Sequence, residues 1–216
     1  RPPLQDSSAA SDVYKRQIMN NVEIIDLHTH LFPPSHGALM LWGIDELLTY
    51  HYLVAEYFMT CTTIHPRDFF SLPKSQQADM IWQALFIDRS PISEQCKGVL
   101  TCLEMLGCYE TDKSNSSMEI TQKILPTDLS TIRHILQEKF YSRGPEQYCE
   151  DIFRLSGVKY VVMTNIPFDP QEAKCWRPDA TPYKFNHRFR AALRVDPLLK
   201  GDWKLIQPVS YTHLTL

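Results

Sequence analysis

His28 and His30 stand one residue apart at the end of a short run, Ile24-Ile25-Asp26-Leu27-His28-Thr29-His30, and Phe32-Pro33-Pro34 closes it. In a strand, residues i and i+2 face the same side, so both imidazoles project into one space at the strand's C-terminal end. Neutral imidazole is the commonest metal ligand, and two at this spacing make half of a divalent-metal site. The plainer reading is two polar residues that happen to end a strand. The apolar run before the pair and the proline stop after it favour ligands.

The elements that must position this pair are legible in part. Gly43 precedes a helix predicted over about 44–60, with Asp45 and Glu46 in its first turn, where the helix dipole favours negative charge. From Leu47 on it is apolar on nearly every face, which predicts a buried helix. His51 and Tyr52 lie inside it, so they must be hydrogen-bonded or face a cavity, because an unsatisfied buried polar group costs roughly 1–3 kcal/mol. A helix over about 75–88 follows, then one N-capped by Ser90 with Pro91 in its first turn and Gly107 past its end. Residues 108–127 are polar and read as a loop. Asp128 caps a further helix, Gly144-Pro145 breaks it, and the next helix ends at Gly157.

After Gly157 the period changes. Val158-Lys159-Tyr160-Val161-Val162-Met163-Thr164 is mostly apolar and β-branched, as in a strand buried in a parallel sheet. A Pro-rich connection leads to a last strand expected over about 189–195. The order is strand, helical block, strand, loop, strand, which predicts an α/β fold with a parallel sheet. The candidate polar groups His28, His30, Asn165 and Arg194 each sit where a strand gives way to its loop. In a (β/α)8 barrel, active sites are built there.

Bulk properties exclude more than they assign. A net charge of −3 without basic runs gives no reason to expect nucleic acid. No apolar run reaches membrane-span length, and no signal peptide is visible. The six cysteines match no zinc-ribbon or zinc-finger spacing and read as reduced core residues of a cytoplasmic protein. Residues 1–17 and 208–216 lack the character of what lies between them and read as non-native tails. The expected arrangement is therefore one domain over 18–207, the N-terminal part of a longer barrel, with a helical insertion at about 38–156.

At Asp26-Leu27-His28-Thr29-His30 the chain resembles the amidohydrolase superfamily of metal-dependent (β/α)8-barrel enzymes, whose first strand ends in His-x-His. Three further features are similar to uronate isomerase. They are the long helical insertion after the first strand, the run LLTYHYLVAEYF bearing His51 and Tyr52, and the strand-end segment Met163-Thr164-Asn165-Ile166-Pro167. The family has acidic residues where this chain has Asn165 and Ile166. Its Trp-Arg-Pro-Asp segment, which holds the substrate carboxylate, matches Trp176-Arg177-Pro178-Asp179 in letters and Arg194-Val195-Asp196 in position at a strand end.

The resemblance implies a partial TIM-like barrel of about three strands and metal-assisted aldose–ketose isomerisation of a hexuronate, of the glucuronate-to-fructuronate type. Its metal would be held by His28 and His30, with zinc expected. His51 and Tyr52 would be catalytic, and Arg194, Arg177 and Asn165 would bind substrate. For Arg194 the plainer reading is an ion pair with Asp196, for Asn165 a turn cap, and for Arg177 a structural role. The partners expected are a small-molecule sugar acid, no nucleic acid and no membrane; a homo-oligomer is possible. The rival readings are a metal-dependent hydrolase of the same superfamily, acting on an amide, ester or lactone, and a non-enzymatic helical interaction module.

Overall fold

The computed structural model describes residues 22–109, 126–166, 169–176, 182, 184, 186–192 and 194–204. In chain order the elements are β1 (Ile24–Thr29), a 3-10 turn at Pro34–Leu39, α1 (Ile44–Leu48), α2 (His51–Thr60), α3 (Pro66–Ser71) and α4 (Lys74–Trp82). A π-helical turn at Gln83–Ile87 extends α4, and α5 (Glu94–Met105) and α6 (Leu129–Lys139) follow. After a 3-10 turn at Tyr141–Arg143 come α7 (Pro145–Ser156), β2 (Val158–Met163), α8 (Pro170–Cys175), β3 (Phe189–Arg190) and α9 (Asp196–Leu199). These elements form two compact units, one of Arg1–Met40 with Cys149–Leu216, the other Leu41–Tyr148.

The first unit is α/β. Its sheet runs in the order β1-β2-β3 with both pairings parallel, as the β-branched composition of 158–164 predicts. Gly157, at φ +68, makes the left-handed turn that takes the chain from α7 straight into β2. Cys149 and Phe153 of α7 pack on Val161, Met163 and Phe189 of the sheet, with Phe32, Met40, Val158 and Trp176 around them. The β1–β2 ladder is irregular. Its register slips between Ile24 and Ile25, and again between Asp26 and Thr29. At the second slip Leu27 and His28 together face one step of β2, as in a β-bulge, and both are exposed while Thr29 is buried. β3 is shorter than predicted, two residues in place of seven, so Arg194 lies beyond the strand.

The second unit is helical. Leu48, Tyr57, Phe69, Ile81, Trp82 and Ile132 are among its buried side chains. Two polar clasps bind its helices. Arg133 of α6 donates to Asp45 of α1 at 2.7 and 2.9 Å and to the Ser75 carbonyl at 2.9 Å, and pairs with Asp79 of α4 at 2.8 Å. Ser93 caps α5 by accepting from the Cys96 N–H, and gives its own proton to Glu56 of α2 at 2.8 Å.

Several boundaries differ from the sequence reading. The helix predicted over 44–60 is two helices, because Tyr50 is extended (φ −65, ψ 143) and ends the first after Leu48. The cap of α5 is Ser93, three residues past Ser90, since the N–H of Cys96 is the one within reach of a serine oxygen. Asp128 caps α6 as expected, and Gly107 takes the left-handed conformation after α5. The tail at 1–17, the tail at 208–216 and most of the polar stretch 108–127 lie outside the described residues. Among the described residues no helix is long and apolar enough to cross a membrane.

Candidate functional site

At the C-terminal end of β1 the His28 and His30 rings lie 5.1 Å apart between centroids, at 76° to each other. The bulge shapes the approach to this pair. Within it the His28 N–H donates to the Asp26 carboxylate at 2.9 Å. Thr29 faces inward between the two histidines, and its carbonyl accepts the Thr164 N–H from the end of β2 at 2.8 Å. The Thr164 hydroxyl in turn lies 3.1 Å from Nδ1 of His30. Two imidazoles side by side, one with its Nδ1 held by a neighbour, fit as nitrogen donors to a divalent cation. Among the described residues no third His, Cys, Asp or Glu joins them to make a group that could hold a metal ion.

Asn165 follows Thr164 and is 1% exposed. Its side-chain oxygen accepts the Ala192 N–H at 2.8 Å, and its Nδ2 donates to Glu172 of α8 at 3.1 Å. Glu172 is itself buried, and also accepts from the Ile166 N–H and, at 3.1 Å, from the Trp176 indole. This network fastens the ends of β2 and β3 to α8. Asp169 starts that helix by accepting the N–H groups of Gln171 and Glu172. Beside it, His36 is buried between Phe32, which stacks on it, and Trp176, which meets it edge-on. Burial pushes the His36 imidazole below its ordinary range, with Glu172 pulling the other way.

His51 and Tyr52 belong to the helical unit, and the structure corrects their expected burial. The break at Tyr50 makes them the first two residues of α2, and both are exposed. The Tyr50, His51 and Tyr52 rings form one cluster, with the His51 centroid 4.3 Å from that of Tyr50 and 4.1 Å from that of Tyr52. Arg194 is exposed and its Nε lies 3.2 Å from the Asp196 carboxylate. Arg177 lies outside the described residues.

Sequence reasoning missed Thr164, Glu172 and His36 as parts of this region. Glu172 carried a signal, since Asp169-Pro170-Gln171-Glu172 is a helix start with an acid in its first turn. Nothing in the sequence places Thr164 beside His30, because the contact depends on strand pairing across 134 residues.

No family model matches the chain, and no curated protein matches it. Among solved structures it is similar to a crystal structure of a uronate isomerase from Bacillus halodurans C-125, at 38% identity and a TM-score of 0.70, over 94% of this chain. The chain spans 43% of the length of that protein.

Proposed function

We propose that this chain is part of a uronate-isomerase-like enzyme that interconverts a hexuronate aldose and its ketose, as in glucuronate to fructuronate. The observation that carries the reading is the 38% identity to a uronate isomerase over nearly the whole chain. It favours isomerisation over the hydrolase and interaction-module readings. The paired imidazoles at the end of β1 support a metal-assisted form of the reaction.

The reaction moves one proton from C2 to C1 of the sugar and another from the C2 hydroxyl to the carbonyl oxygen. A base must take the first, and a donor and acceptor must manage the second. In this reading His28 and His30 hold a divalent ion, zinc first, whose chemistry when bound is Lewis-acid polarisation of a sugar oxygen. His51 and Tyr52 exchange protons with substrate oxygens, for which their exposure at the start of α2 leaves them accessible. Arg194 or Arg177 grips the sugar carboxylate through a forked, charge-assisted contact. Asn165 acts from the end of β2. Its bonds to Ala192 and Glu172 suit it to holding the strand ends that face the substrate.

The test is glucuronate turnover in D2O with added zinc by the whole enzyme of which this chain is part, followed by NMR for deuterium at the sugar's C1 and C2 positions. Exchange should occur, and His28→Ala should abolish it with the circular dichroism spectrum unchanged. Equal exchange in that variant would sink the metal-ligand assignment.

A further inference from the structure

Thr164 reaches back to β1 through two bonds to one atom. Its N–H donates to the Thr29 carbonyl at 2.8 Å, and its hydroxyl lies 3.0 Å from the same oxygen. A carbonyl has no hydrogen to give, so the hydroxyl donates its single proton there. The same Oγ1 lies 3.1 Å from Nδ1 of His30. With its hydrogen committed to Thr29, Oγ1 can only accept from the ring. Nδ1 therefore carries the imidazole proton, and Nε2 carries the lone pair. The opposite tautomer would set two acceptors, Nδ1 and the Thr29 carbonyl, against one hydroxyl hydrogen.

We infer that Thr164 is a positioning residue that holds His30 in its Nδ1–H tautomer and thereby makes Nε2 the ligating nitrogen. The inference rests on the reading of His28 and His30 as metal ligands. A ligand histidine that gives its other ring N–H to an oxygen is fixed in orientation and becomes a better donor, and loss of such a partner lowers metal affinity by about 10–100-fold. The acceptor here is a hydroxyl whose own proton is pinned to the adjacent strand. The ligand atom of His30 is thus set by the pairing of β1 with β2, and not by its own loop.

Two measurements on the whole enzyme separate this inference from the reading beneath it. Long-range proton–nitrogen correlation spectra of the 15N-histidine-labelled, metal-free protein report each ring's tautomer directly. His30 should show Nδ1–H in the wild type and in Thr164→Ser, and should shift towards Nε2–H in Thr164→Val. Cobalt(II) titration followed by visible absorption should show affinity reduced roughly tenfold or more in Thr164→Val and close to wild type in Thr164→Ser. A wild-type His30 already in the Nε2–H form overturns the inference, and so does a Thr164→Val protein with unchanged tautomer and cobalt affinity. A wild-type enzyme that shows the Thr164-dependent tautomer but takes up no cobalt supports the hold on the ring and overturns the metal reading. If Thr164→Val does not fold, the wild-type tautomer decides, with Thr164→Ser as its control.

Discussion

The Nδ2 of Asn165 donates to Oε1 of Glu172 at 3.1 Å, and both side chains are almost fully buried. Glu172 is the hub, accepting from a side-chain amide, a backbone N–H and an indole. Replacing it by Ala removes the acceptor of the buried Asn165 amide and the bonds it takes from two part-buried donors, the Ile166 N–H and the Trp176 indole. The expected loss is on the order of 3 kcal/mol, read as a lowered urea midpoint. Glu172→Gln keeps one oxygen but points an amide N–H₂ at a donor, so it should fall between the two. A Glu172→Ala midpoint equal to wild type would show that the network adds nothing to the fold.

Arg133 tests the helical unit in the same way. Its fork spans Asp45, Asp79 and the Ser75 carbonyl, which a lysine ammonium on a single stem cannot reproduce. Arg133→Lys keeps the charge and should still cost about 1 kcal/mol, the guanidinium being partly solvated. Thermal melts at low and high salt would check it, and a loss that salt removes entirely would assign the effect to charge alone.

Arg194 separates two roles by two measurements. Its exposed pair with Asp196 should contribute little, so Arg194→Ala should change stability by less than about 0.5 kcal/mol. If it grips the uronate carboxylate, KM for glucuronate should rise about tenfold or more, the worth of a lost charge-assisted contact. An unchanged KM here, with a raised one in Arg177→Ala, would transfer the carboxylate to Arg177.

Alkaline pH should loosen the helical unit. Burial pushes the Tyr57 phenol up to about 12, with Cys61 adding to it. Burial, then Glu104 and Cys108, push Tyr109 to about 12, and burial also raises Tyr141, whose oxygen accepts the Ile44 N–H at 3.1 Å. An unfolded tyrosine loses its proton near 10, so below that pH both states hold it and the contribution is fully present. As pH climbs from about 10 through 12 the unfolded state sheds protons first, and stability falls. Tyrosinate absorbance at 295 nm should therefore rise together with loss of helical circular dichroism. Titration of all ten tyrosines near pH 10 with the helices intact would contradict this.

The parts legible in the sequence were those governed by neighbours along the chain. The Asp128 cap, the glycines after α5 and α7, and the β-branched run of β2 depend on local geometry, and the structure has them where the residues indicate. The pairing of His28 with His30 is local too, since it needs only strand periodicity. The break at Tyr50 was not legible, because the apolar run on both sides of it reads as one helix while the backbone turns out between them. The short β3 was missed for a related reason. Phe189 is buried in the core, but Ala191 and Ala192 leave the ladder, and the Ala192 N–H goes to Asn165 instead of to a strand. Thr164 and Glu172 act through contacts that only the folded sheet creates.

The two slips in the β1–β2 ladder cancel. Lys159 is surplus on β2 at the first, and one of Leu27 and His28 is surplus on β1 at the second, so Ile24 against Val158 and Thr29 against Met163 are in step again. The shift in phase is confined to the middle of the strand pair. Because one of Leu27 and His28 is surplus, a deletion at Leu27 removes the second slip and still leaves Thr29 opposite Met163, so the histidine end stays beside Thr164. Each slip thus stores one spare residue where it stands, and a single deletion at a slip moves neither the histidine end nor the opposite end of the sheet.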